Sequence, residues 1–369
     1  MSAAPTTARP RIPSVDILRG AIMIIMALDH VRDFFSSATF QPTDLTRTTA
    51  AYFFTRWITH FCAPGFMLTA GLGAFFLSRK KSKRELSRFL WTRGLWLVIL
   101  DETLMHFALS FHLNYDLVIL NVLWALGWSM IALAALVWLP TGALTVLSVA
   151  IIALHNLADG IQARQFGAMA PLWLLLHQQG IFHLGSHQIL VAYPLIPWIA
   201  VMAAGFCCGR IYTLAPERRR KILLQLGIVL TATFILLRAI NIYGDPFHWS
   251  PPSVLSFLNT TKYPPSLDFL LMTLGPALIV LGLIDRATLS PWNPLVVFGR
   301  TPFLYFVGHF FLAHLLASIY RHTIPSAANG VGLPAVYFWW IVVVAAMYPP
   351  CRWFAQLKQH RTNWWLSYL

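Results

Sequence analysis

The sequence predicts an all-α, polytopic membrane protein of about ten transmembrane helices (range of about nine to eleven). Three observations carry that expectation. Of 369 residues, 57% are hydrophobic and only 11% charged, and the mean hydropathy is +0.64; a soluble domain carries about 25% charged residues. Apolar stretches of roughly 20 residues, the length that crosses a bilayer as a helix, recur along the whole chain. Backbone groups in hydrocarbon must be bonded within their own segment, which favours helices, and the short alternating runs of a β-barrel are not seen. No heptad repeat, low-complexity tract or long soluble insertion interrupts the pattern, so residues 1–369 read as a single membrane-embedded domain.

The expected spans are Ser14–Phe35, Ala51–Ser78, Leu86–Phe111, Leu117–Leu139, Thr141–Leu157, Ile189–Gly209, Ile222–Tyr243, Leu267–Ile284, Thr301–Tyr320 and Leu333–Cys351. Residues 171–177 are apolar but too short to span, and read as an interfacial or re-entrant piece. The first apolar run ends in Asp29-His30 rather than at a small-residue cleavage site, so it is expected to stay as a helix. Residues 1–13 and 352–369 are expected to form short cytoplasmic tails.

Charge sets the expected orientation. The net charge of +14 could suggest nucleic acid, but the basic residues sit at helix ends, as the positive-inside rule requires. With the N-terminus inside, 20 of the 27 lysines and arginines fall on the inner side, notably Arg79–Arg93 and Arg218–Lys221. The other seven (Arg32, Arg47, Arg56, Arg164, Arg238, Lys262 and Arg321) fall outside. Both termini are therefore expected in the cytoplasm, with the protein in a bacterial inner (plasma) membrane. Twelve of the thirteen histidines, all but His360, then lie in the outer half or the outer loops. Cys62, Cys207, Cys208 and Cys351 show no metal-ligand spacing and argue against a disulfide framework.

Ionisable residues inside a bilayer are costly and face a cavity or a partner. At the outer end of the first span, Asp29 and Asp33 share a helix face, and Asp33 lies three residues from His30. A carboxylate beside an imidazole fixes its tautomer and suits general-base work, while a merely solvated helix end is the plainer alternative. Asp101 and Glu102 interrupt the third span and point either to a polar cavity or to an ion pair with Arg56 or Arg238. Asp16 and Arg19, spaced i, i+3, fit a structural pair or an anion contact. His183 and His187 have the spacing of a helical metal pair, but Gly185 between them and the lack of a partnered Glu or Cys weaken it, and no metal is expected. Gly205 and Gly209 form a GxxxG face suited to helix packing. His183, His187, His248 and His322 read as solvated loop histidines, whereas His30, His60, His106 and His309 lie within spans.

The run Arg11-Ile-Pro-Ser-Val-Asp16-Ile-Leu-Arg19-Gly20, followed by Met26-Ala-Leu-Asp29-His30-Val-Arg32-Asp33-Phe34-Phe35, resembles the bacterial branch of the heparan-α-glucosaminide N-acetyltransferase family. Similar segments recur at Ala63–Phe66, Ala192–Trp198, Thr260–Leu267 and Gly299–Pro302, with His309 following, so that the likeness runs over nearly the whole chain. The resemblance implies a membrane-embedded acyltransferase that takes an acyl group from cytosolic acetyl-CoA or another acyl-CoA. The group would pass to a hydroxyl or amine of a sugar or other envelope acceptor at the outer face. The lysosomal member has Asn where His30 falls, with its catalytic His a short way downstream. Here Ser36–Gln41 holds no histidine, which leaves His30 as the expected base, oriented by Asp29 or Asp33, and His60 as second candidate. Arg19, Asp16 and Arg300 are expected at the CoA site; Asp101, Glu102, Lys262, Tyr263 and His309 are expected in the substrate pocket. The expected partners are acyl-CoA, a carbohydrate or small acceptor and the lipid bilayer, with homo-oligomerisation open and no nucleic acid. The rival reading is a proton-coupled transporter using Asp29, Asp101, Glu102 and the histidines as a relay, although the internal repeats common in transporters are not apparent. A structural scaffold is the third, disfavoured by ionisable residues in several spans.

Overall fold

The computed structural model describes residues 12–361, so the expectations for residues 1–11, with Arg9 and Arg11, and for 362–369 lie outside the described residues. Helix α1 (Pro13–Phe35) opens on a proline, whose missing N–H is not needed in the first turn, and places Asp16 and Arg32 at the ends that suit the helix dipole. Helices α2 (Ala50–Trp57) and α3 (Cys62–Ser78) join through the 3-10 turn Ile58–Phe61 into one 29-residue rod. Helix α4 (Lys83–Leu100) starts at a reciprocal capping box between Ser82 and Glu85. It runs through a π-helical turn, Asp101–Met105, into α5 (His106–Ser110). Strand β1 (Leu117–Leu120) leads to α6 (Val122–Leu136), and α7 (Thr141–Leu154) and α8 (Ala170–Leu176) follow. Next come β2 (Gly180–Leu184), β3 (His187–Val191), α9 (Leu195–Cys208), α10 (Pro216–Ile240) and α11 (Val254–Leu258). The chain closes with α12 (Leu267–Leu283), α13 (Pro294–Arg300), α14 (Pro302–Thr323) and α15 (Leu333–His360).

Every expected span overlaps a helix, yet among the described residues six helical segments are both long and apolar enough to cross a membrane: Ala50–Ser78, Thr141–Ala158, Leu195–Thr213, Pro216–Ile240, Pro302–Thr323 and Leu333–His360. Val122–Leu136 and Leu267–Leu283 are apolar but shorter. Helices α1 and α4 have the length but carry charges along it, such as Asp16, Arg19, Asp29 and Arg32 in α1. The protein is thus a mainly helical membrane protein. Large apolar side chains such as Val146, Ile228, Leu236 and Phe338 face outward from α7, α10 and α15, as lipid contact requires.

Several expectations need correction. The molecule is not purely helical. Strands β1 and β3 pair in parallel and β2 pairs antiparallel to β3, giving the order β1-β3-β2. Residues 117–120 and 189–191, expected to open the fourth and sixth spans, therefore lie in strands. His183 and His187 sit on adjacent strands of the hairpin, so their spacing is not that of a helical pair. Residues 170–176 form a helix of seven residues, too short to span, in keeping with the reading of 171–177. Pro302 removes a donor and drives Thr301 out of helical geometry (φ −125°, ψ 43°), which separates α13 from α14. Helix α15 continues past Pro349 and Pro350 to His360, so most of the described part of the expected C-terminal tail is helical.

Close helix approach, made possible by small residues, positions the centre of the bundle. A Cβ at Gly20 would strike the Leu295 carbonyl, and one at Gly299 the Asp16 carbonyl, so α1 and α13 touch backbone to backbone. Gly205 meets the Leu68 carbonyl of α3 and Gly209 the ring of Phe75, which gives the GxxxG face the packing role expected of it. Helix α1 is buried along most of its length by α3, α12, α13, α14 and α15. Its polar residues consequently face protein rather than lipid.

Candidate active site

Two cavities abut inside the bundle. The first, of about 230 Å³, is lined by Asp29, His30 and Asp33 of α1, Arg56, Cys62 and Phe66, Asn121, Tyr193, Lys262, Tyr263, and Phe306 and Phe310 of α14. The second, of about 350 Å³ and mostly apolar, lies toward the N-terminal end of α1, where Arg19 and Arg93 join its wall. Phe66, Val122 and Phe306 line both, so the cavities meet at a septum of three apolar side chains.

On the wall of the first cavity, His30 Nδ1 lies 2.7 Å from Nε2 of His309, which was expected in the pocket but stands behind His30 and does not line it. His309 is fully buried, and its Nδ1 lies 2.8 Å from the backbone carbonyl of Tyr305, one turn earlier in α14. A carbonyl only accepts, so His309 Nδ1 carries the proton and, in the neutral ring, Nε2 is the acceptor. His30 must then donate from Nδ1, which leaves the lone pair on its Nε2. The ring of Phe310 holds the imidazole from one side, with centroids 4.0 Å apart. A base with a fixed tautomer and a fixed plane results.

The carboxylates expected to orient His30 serve other partners. Asp29, buried, lies 2.7 Å from Arg32 and is bonded by Arg56. Asp33 is half-exposed and accepts from Arg32 at 2.6 Å. His60 is buried against Phe269, its ring centroids 5.4 Å apart, and is not on the wall of the first cavity, although its neighbours Thr59 and Cys62 are. Lys262 does line that cavity, with its ammonium 5.0 Å from the Tyr263 ring, and the Tyr263 and Tyr193 hydroxyls are 3.4 Å apart.

Asp101 and Glu102 stand behind the wall rather than on it. Asp101 Oδ2 accepts the Asn121 N–H at 2.9 Å, and the Asn121 side chain caps the first N–H of α6. The carboxylate thereby anchors the start of α6, whose Asn121 and Val122 do line the cavity. Neither acid has the arginine partner considered for it. Arg56 pairs with Asp29, and Arg238 donates to the carbonyls of Phe247, Ser256, Phe257 and Asn259. Glu102 holds Tyr115 through its backbone carbonyl at 3.1 Å.

At the other end, Arg19 donates to the Gly299 and Thr69 carbonyls, each at 3.3 Å, and faces the second cavity. Asp16 lies 3.8 Å from Arg19 and 3.7 Å from Arg300, tying α1 to the end of α13, but neither Asp16 nor Arg300 lines the cavity. Arg93, Asn121 and Tyr193 line the cavities without having been expected there. For Arg93 the signal was present, a charged residue set in the otherwise uncharged stretch Phe89–Leu100 of α4.

The model of the heparan-alpha-glucosaminide N-acetyltransferase catalytic region matches residues 11–243, which takes in α1, Arg56, Arg93, Asn121 and Tyr193 but ends before Lys262, Tyr263 and His309. The likeness recognised from motifs along nearly the whole chain is thus matched over residues 11–243. No curated protein matches the chain. Matched over well more than half its length, from the charged start of α1 to the end of α10, the chain belongs to the heparan-alpha-glucosaminide N-acetyltransferase family of membrane acetyltransferases.

Proposed function

We propose that this protein moves an acyl group, acetyl in the simplest case, from cytosolic acyl-CoA to an amine or hydroxyl at the outer face of a bacterial inner membrane. The observation that carries the proposal is the pair of abutting cavities, one bordered by Arg19 and Arg93, the other by His30, which His309 backs from behind the wall. With the N-terminus inside, the polyanionic head of CoA sits at the basic end. Its pantetheine arm lies in the 350 Å³ apolar cavity, and the thioester passes the septum of Phe66, Val122 and Phe306. The acceptor enters from the opposite end.

A thioester is already activated, so the protein must supply a base and stabilise an oxyanion. His30 Nε2 takes the proton from the acceptor as its nitrogen or oxygen attacks the thioester carbon. Lys262 and the Tyr263 hydroxyl face the same space and donate to the carbonyl oxygen as it becomes negative. Collapse of the tetrahedral intermediate breaks the C–S bond, and the proton held by His30 passes to the departing CoA sulfur. Asp29, flanked by Arg32 and Arg56, fixes the charge balance of the wall. The relay of a proton-coupled transporter is less well supported, because Asp29 is engaged by two arginines and Asp101 by the start of α6.

The test is acetyl transfer by purified protein in nanodiscs, with acetyl-CoA as donor. His30→Ala should lower the rate by about 10²–10⁴-fold, the usual span of general-base catalysis. Acetyl-CoA should still raise the melting temperature of that variant. Full specific activity in well-folded His30→Ala protein, or absence of any acetyl-CoA-dependent stabilisation of the wild type, would overturn the reading.

A further inference from the structure

A third cavity, of about 220 Å³, opens beside the first and shares Tyr263 with it. Its wall is built from Asn156, Asp159, Ile161, His177, Gln178, Gln179, Pro246, Phe247, Thr261, Tyr263 and Pro264. Its character is the reverse of the apolar donor cavity. Seven of these eleven side chains carry amide, hydroxyl, carboxylate or imidazole groups, and Phe247 and Tyr263 add aromatic rings. The volume is that of roughly seven waters at about 30 Å³ each, which suits one sugar ring.

The polar groups are held in place. Asn156 donates to Asp159 at 2.7 Å and accepts the N–H of Leu267, the first residue of α12. His177 is 2% exposed and its Nε2 lies 3.0 Å from Asp159 Oδ1, so Nε2 carries the proton and Nδ1 the lone pair. That Nδ1 has no hydrogen-bond partner among the described residues. A buried acceptor without a donor is unfavourable, and a ligand hydroxyl supplies the missing proton. Phe247, 69% exposed, offers a ring face at the rim, where an aromatic covers the C–H face of a sugar. Among the described residues of this wall there is one carboxylate and no lysine or arginine.

We propose that this cavity is an acceptor subsite for the second sugar ring of a neutral or amine-bearing saccharide, and that it disfavours sulfated chains. The assignment rests on the transferase reading for the reacting end, since Tyr263 links the subsite to the space around His30. An anionic glycan would meet Asp159 without a cation to balance it. An uncharged or amino sugar finds donors and acceptors in fixed positions together with an aromatic face.

The experiment measures saccharide binding and transfer separately. Calorimetry on wild-type protein in nanodiscs compares glucosamine, its β-1,4-linked disaccharide, and that disaccharide sulfated at the 6-hydroxyls. The disaccharide should bind about tenfold more tightly than the monosaccharide, and sulfation should remove that gain. Phe247→Ala and Gln179→Ala should each bring the disaccharide-to-monosaccharide ratio toward one, and Phe247→Tyr should keep it. Equal affinity for the two sugars, tighter binding of the sulfated form, or a ratio unmoved in both alanine variants would overturn the subsite. Acetyl transfer from acetyl-CoA is followed in parallel. Absent transfer with an intact, Phe247-dependent preference would sink the transferase reading and leave the subsite standing.

Discussion

Replacing His309 tests the base assignment more sharply than replacing His30, because His309 is argued to act only through its neighbour. His309→Ala removes the acceptor for His30 Nδ1, now 2.7 Å away, and with it the contact that keeps the His30 lone pair on Nε2. Removing one partner of a buried hydrogen bond costs about 1–3 kcal/mol. If that cost falls on the reactive arrangement, at about 1.36 kcal/mol per tenfold in rate, turnover drops about 5- to 150-fold. The loss is smaller than for His30→Ala, because the base itself remains. It should appear in kcat, with little change in KM for acetyl-CoA, because the second cavity is untouched. The assay is initial-rate acetyl transfer across a pH series. In the variant His30 is no longer tied through His309 to the Tyr305 carbonyl, so the rate profile should shift along the pH axis as well as fall. His309→Gln, whose side-chain carbonyl can accept from His30, should recover part of the rate. A purely structural His309 would give lower yield and melting temperature with an unchanged specific rate and profile, and that result would refute the reasoning.

Three further outcomes follow from the same geometry. Arg19→Ala should weaken the stabilisation by acetyl-CoA in thermal-shift titration more than it lowers the unliganded melting temperature; an unchanged titration would remove Arg19 from the donor site. Arg56→Ala leaves Asp29 with Arg32 as its remaining close cation, so destabilisation should fall near the lower end of the roughly 3–5 kcal/mol that breaking a buried pair costs, and Asp29→Asn in the same chain should restore part of it. Cysteines introduced at Ser82 and at Ser253 should react with impermeant thiol reagents from the cytoplasmic and the external side respectively; the opposite pattern would invert the orientation and the route of the donor.

Much of this molecule was legible because local chemistry expressed it. The charged residues of α1 stand out against an apolar background, so the segment that carries His30 could be found from sequence alone. The pairing of His30 could not. Asp29 and Asp33 are near it in sequence, and helical spacing makes them the natural partners, but a carboxylate gains more from a guanidinium than from a neutral imidazole. Arg32, on the same helix, and Arg56, on the next rod, take both acids. His30 is then free to meet His309, which stands 279 positions away and which the sequence singles out without linking it to His30. The sheet failed to register for a different reason. Gly185 and Ser186 separate two short apolar runs, and Gly185 has φ +61°, the geometry of a two-residue hairpin turn. Continuous hydrophobicity after Gln188 made the second run look like the start of a helix.

The two misreadings bear on the site together. Because β1 pairs with β3, the chain before α6 is tied to the chain before α9. The same short segments carry Asn121 and Tyr193, one just after β1 and the other just after β3. Asp101 holds Asn121 from the π-helical turn, and Tyr193 reaches Tyr263 across the cavity. The sheet thus joins the ends of helices that must surround His30 without collapsing onto it. A small sheet and a widened helical turn hold Asn121 and Tyr193 on the wall of the 230 Å³ cavity.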